Sequence, residues 1–244
     1  MRSFTRFALW LCLGCWFNTA AVAQWNPQMT ADLGRGMGQI ALSQSILSGT
    51  RRIGSGDTTN NTRAPAATQN AATLTYIPDP RVSEQTRTSV VDTLSRQNPT
   101  LRAQMDTALK GGMVLKIFDR FMAAHGFSIR NVADAMAIQL LVSWEIVTGG
   151  VATPAQIRGA DSQVRGVFLS TPQLRAMTNV ERQQMAENIA YQVVIGSAAN
   201  RQFQRAGDQA QLAHLRQTAQ TILSQRGIDL TRLQLTDRGF VKSS

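Results

Sequence analysis

The sequence predicts an all-α fold: a single multi-helix globular domain around a buried central helix, preceded by a signal peptide and a flexible linker. Three observations carry this expectation. Residues 131–150, NVADAMAIQLLVSWEIVTGG, are apolar on almost every side of a helix. From Leu74 onward, helix starts recur at Asp79-Pro80, Asn98-Pro99, Thr153-Pro154 and Thr171-Pro172, with glycines as stops. No convincing strand pattern lies between them.

The central stretch comes first because the other helices are expected to pack around it. A helix apolar all round is either a core helix or a membrane span. Asp134, Gln139, Ser143 and Glu145 fall within it, which favours the core. Asn131 is placed to cap its start, with Asp134 three residues on as capping-box partner. Gly149 and Gly150 are placed to stop it.

The remaining elements follow in chain order. Arg2 and Arg6 precede an apolar run, FALWLCLGCWF, and Ala21-Val22-Ala23 gives the small-x-small pattern of a cleavage site. Residues 1–23 therefore read as a signal peptide cut after Ala23, and the protein as exported, periplasmic or extracellular. Lipidation at Cys15, which follows Gly14, is the alternative. Cys12 and Cys15 are the only cysteines, so the chain beyond residue 23 has no disulfide, thiol nucleophile or thiolate metal site. Residues 24–72 form an N-terminal segment and linker. Its GRGMG run lacks a preceding strand and a following Lys-Ser/Thr, so no nucleotide site is expected. Residues 40–47 could form a short helix or strand. Residues 48–72 are rich in Gly, Ser, Thr and Asn and bury too little to offset their ordering entropy.

Residues 73–244 are the helical domain. The first helix should run from Asp79-Pro80 to about Gln97, with Val82, Val90, Val91 and Leu94 inward. A second should end at Gly111-Gly112. A third should run from Met113 to His125, with Val114, Ile117, Phe118 and Phe121 as its apolar positions. The central helix follows. Further helices should open at Thr153-Pro154, Thr171-Pro172, the Thr178–Glu181 capping box and Asp208. Leu230, Leu233, Leu235, Phe240 and Val241 should anchor a turn-rich tail.

Four phrases, LTYIPDPRVS, NVADAMAIQLLVSWEIV, MAENIAYQ and GIDLTRLQLTDRGFV, fall in an order and spacing that resemble a family of uncharacterised exported bacterial proteins, a domain-of-unknown-function family. The resemblance covers about Leu74 to Val241. Where that family more often shows Tyr, this chain has Gln139. The resemblance implies a secreted, mostly helical domain and supplies no catalytic residue.

The formal net charge is +10, and +8 without Arg2 and Arg6. Lys110, Lys116 and Lys242 are the only lysines, so the charge is mostly Arg, which pairs bidentately with phosphate or carboxylate. A polyanion partner is one reading, and solvated helix surfaces are the other. Asp134 and Glu145 share an azimuth but lie about 16 Å apart along an unbroken helix. Glycosidase carboxylates lie roughly 5–9.5 Å apart, so these two cannot pair. Glu145 and Glu187 are the catalytic candidates, each in a largely apolar helix. A buried carboxylate needs a partner, so a structural ion pair with Arg is the first expectation. A catalytic acid of raised pKa is the alternative. His125 and His214 have no second ligand at metal spacing. No cofactor or metal is expected. The function expected is a non-enzymatic interaction module with an unknown protein or cell-envelope partner. The alternatives are a hydrolase of envelope polymer and an Arg-dependent polyanion binder.

Overall fold

The structure, a computed structural model, describes residues 74–96, 99–224 and 227–243. The expected signal peptide, its cleavage site and the segment 24–72 lie outside these residues.

Helix α1 (Pro80–Ser95) starts where Asp79 accepts the Arg81 N–H at 2.8 Å and Pro80 presets the first turn. Val82, Val90, Val91 and Leu94 are buried, as the periodicity predicts. A 3-10 turn (Pro99–Leu101) leads into α2 (Arg102–Leu109). Gly111 and Gly112, at φ 77° and 68°, turn the chain into α3 (Met113–Ala124). The central helix is α4 (Val132–Thr148), capped by the Asn131 side chain, which accepts from the Ala133 and Asp134 N–H groups. Capping boxes open α5 (Pro154–Ser170) at Thr153/Gln156 and α7 (Asn179–Ala206) at Thr178/Glu181. The short α6 (Pro172–Arg175) lies between them, and α8 (Gln209–Ser224) follows.

The centre is shared by two helices. α4 packs against α5, α7 and α8, while α7 also packs against α1 and α3. Met136 and Leu140 of α4, Tyr191 of α7, Phe118 of α3 and Phe168 of α5 are fully buried. Each contributes roughly 1.5–3 kcal/mol of hydrophobic stabilisation against the entropy of ordering. Trp144 is partly buried and packs on this core. Among the described residues, no helix is long and apolar enough to cross a membrane.

Two expectations are corrected. Asp134 does not complete a capping box. It accepts the Ser128 N–H at 3.0 Å and pairs with Arg165 of α5, tying the turn before α4 to the neighbouring helix. The tail is not strandless. After a 3-10 turn (Leu230–Arg232), β1 (Leu233–Thr236) and β2 (Gly239–Lys242) form an antiparallel hairpin, with Leu235 opposite Phe240. Leu233, Leu235 and Phe240 are buried, whereas Val241 is only partly so. Two four-residue strands are marginal alone, and this pair rests on α5. Gln156 donates to the Leu235 carbonyl at 2.9 Å. Gln163 both donates to the Phe240 carbonyl and accepts its N–H, each at 2.9 Å. Gly159 lies between them, where a Cβ would fall 2.3 Å from the Asp237 carbonyl oxygen.

Candidate functional site

Glu187 sits in the first half of α7, facing α1. It is 3% exposed. Its Oε1 accepts from the Ser83 hydroxyl at 2.7 Å and from Gln183 Nε2 at 2.9 Å. Its Oε2 is buried without a hydrogen-bond partner among the described residues. Burial pushes the Glu187 pKa up, and the bonds from Ser83 and Gln183 pull it back. Val180, two turns earlier on α7, is exposed.

Gln183 is fully buried and joins the same network. It accepts the Asp79 N–H and donates to the Asp79 carbonyl, both at 2.8 Å, and reaches Ser83 Oγ at 3.0 Å. One turn earlier, Asn179 accepts the Ile77 N–H at 2.7 Å and donates to the Ile77 carbonyl at 2.8 Å. Two amides spaced i,i+4 on one helix thus bind an extended backbone as a neighbouring strand would. On its other side, this segment donates the Tyr76 N–H to the Arg130 carbonyl at 3.0 Å and bridges Thr75 to Asn131. No sequence signal singled out these amides, because an Asn or Gln in a helix is more often solvated.

Glu145 lies near the end of α4 and is partly buried. Its Oε1 accepts the Ala152 N–H at 3.1 Å, which folds the α4–α5 connection back on the helix. Burial raises its pKa and the Ala152 bond opposes the rise. Neither glutamate has an arginine partner among the described residues. The expected buried ion pair occurs instead at Asp134 and Arg165, and Arg165 Nε also meets both oxygens of Asp161 at 2.9 Å. Burial pushes the Asp134 pKa up to about 6, against the Ser128 N–H and the Arg165 charge. The Asp161 pKa is raised too, again chiefly by burial.

The structure therefore does not bring Glu145 and Glu187 to one set of neighbours: one holds the α4–α5 connection, the other the α1–α7 contact. A groove of about 50 Å³ lies elsewhere, between α4, α7 and α8, and neither glutamate lines it. Its walls include Val142, Ile146, Val193, Leu215 and Ile222, with Gln139, Ser143 and Gln192 as polar edges. Gln139 donates to Gln192 across it. Among the described residues, its lining holds no carboxylate, imidazole or cation. His125 hydrogen-bonds the Phe121 carbonyl through Nδ1 at 2.8 Å, within its own helix. Among the described residues, no group of three His, Cys, Asp or Glu side chains could hold a metal ion.

These features define a helical domain whose buried polar side chains mainly hold its own backbone. The chain belongs to a family of unknown function (DUF6683), whose model matches residues 6–242. That match begins well before the phrases that suggested the family, and takes in the N-terminal segment. Neither a curated protein nor a solved structure matches the chain.

Proposed function

We propose that the protein is an exported, non-enzymatic interaction module that acts at the cell envelope, in the periplasm or outside the cell. The observation that carries this reading is the use made of Glu145 and Glu187. Each is the chemically most suggestive group on its helix, and each is engaged with internal backbone or side-chain partners on a different element. A general acid must bring its own proton within hydrogen-bond distance of a substrate atom. Export rests on the charged start, apolar run and Ala21-Val22-Ala23 of residues 1–23. The test is incubation of the purified protein with envelope fractions. Co-sedimentation without release of soluble fragments is expected. Release that disappears in both Glu145→Gln and Glu187→Gln would replace this reading with a hydrolase.

A specific observation favours an Arg-dependent polyanion as the partner. Arg81, Arg96, Arg120, Arg158, Arg175 and Arg216 are exposed and meet no carboxylate among the described residues. Binding through such groups weakens steeply as salt rises. Salt-insensitive binding to an anionic envelope polymer would remove this second reading.

A further inference from the structure

The groove between α4, α7 and α8 is apolar along its walls and open at Gly196. Gly196 sits within α7, where glycine weakens a helix relative to alanine. It is buried, yet a Cβ there would meet no described atom within 4 Å. No packing contact among the described residues asks for glycine at this position. A small residue at the floor of an apolar groove lets another chain segment approach the helix backbone closely.

We infer that the occupant of this groove is the chain's own N-terminal segment, residues 36–50, which lie outside the described residues. Three arguments select it. The first is chemical. Residues 36–50, GMGQIALSQSILSGT, carry no charged side chain and combine Ile40, Leu42, Ile46 and Leu47 with Gln and Ser. Among the described residues, the groove lining likewise has no charged residue and combines aliphatic side chains with Gln139, Ser143 and Gln192. The second is reach. Thr75, next to the first described residue, bridges Asn131 at the start of α4. Ser143 lies twelve residues further along that helix, about 18 Å away. Twenty-four residues lead from residue 50 to residue 74, and a chain of that length can reach well beyond this distance. A tether whose length matches the span gives a millimolar effective concentration, so weak contacts suffice. The third is extent. The family match runs through this segment rather than starting at the helical domain. The inference does not depend on which partner the module takes.

Cross-linking tests it directly, because Cys12 and Cys15 are the only native cysteines. In the full chain carrying Cys12→Ser and Cys15→Ser, Ser143→Cys is combined in turn with Ala41→Cys, Ser43→Cys, Gln44→Cys, Ser45→Cys or, as control, Thr58→Cys. Mild oxidation should give an intramolecular disulfide at one or two of the four segment positions. Its yield should exceed that of the Thr58 control by roughly tenfold, the contrast between a docked segment and a tethered coil. Filling the groove with Gly196→Leu should abolish that preference, and Ala219→Glu, which puts a charge into the same lining, serves where the leucine variant fails to fold. Equal yields at all positions including Thr58, a preference that survives both groove variants, or bridges found only between two molecules would each overturn the assignment.

Discussion

Gln183 is fully buried, and its amide meets Asp79, Ser83 and Glu187 together. Gln183→Ala would leave the Asp79 N–H and carbonyl without that partner and open a cavity beside Glu187. A loss of about 2–4 kcal/mol is expected, which lowers the melting temperature by roughly 5–15 °C in a domain of this size. Glu187→Gln should behave differently. An arginine partner would have been stranded by the change, but among the described residues Glu187 is held by Ser83 and Gln183. The variant should keep its stability at pH 7 to within about 1 kcal/mol, since lost charge burial offsets a poorer hydrogen-bond fit. Thermal melts of both variants check this pair of outcomes. That Glu187 would be buried was legible from its place among apolar residues on α7. Its partner was not, because Ser83 lies 104 residues away and only folding brings it near.

At the level of elements, α5 is the platform for two long-range contacts. Through Arg165 it holds Asp134 of the central helix, and through Gln156, Gly159 and Gln163 it holds the hairpin. Arg165→Met would leave the Asp134 carboxylate buried without its cation, a change that costs about 3–5 kcal/mol in fully buried pairs. Arg165 is partly exposed, so the low end of that range is expected in denaturant titrations at pH 7. Gly159→Ala should force the hairpin turn off α5, since the added Cβ would overlap the Asp237 carbonyl. A loss of about 1–3 kcal/mol and faster tryptic cleavage at Arg232 or Arg238 are the expected signs. Gly166→Ala on the same helix meets open space and should stabilise by roughly 0.5–1 kcal/mol. Equal effects at the two glycines would contradict the close approach at Gly159.

For the whole molecule, the raised carboxyl groups set the pH dependence. Asp134, held near 6, together with Glu145, Asp161 and Glu187, binds protons more readily folded than unfolded. Their contribution is fully present below the unfolded pKa of about 4 and is lost as pH rises through the folded values. Glu181 and Asp229 have the opposite shift, and their contribution is lost only on further acidification. Stability should therefore rise as pH falls from 7 to about 5 and decline again well below 4. Melting curves across this range check it, and Asp134→Asn should flatten the rise between pH 7 and 5.

Local chemistry sufficed for the helices. Asp79, Asn131, Thr153 and Thr178 cap them where their side-chain oxygens meet orphan N–H groups within three residues, and the glycines after α3, α4 and α7 end them for equally local reasons. The all-round apolar character of residues 131–150 likewise determined that α4 would be interior. Tertiary structure alone decided that α4 shares the centre with α7, that Asp134 leaves its cap for Arg165, and that the tail pairs into a hairpin. The first two join residues far apart in the chain, and the hairpin, though its own pairs are local, is held to α5 by contacts across 77 and 79 residues. Strands of four residues have too short a pattern to read, and α5 supports them by meeting their backbone from Gln156 and Gln163. The same holds for Glu145 and Glu187. Sequence shows that a carboxylate is placed among apolar neighbours, but which group meets it is a matter of packing geometry, and among the described residues that geometry gives them hydrogen bonds from Ser83, Gln183 and the Ala152 N–H.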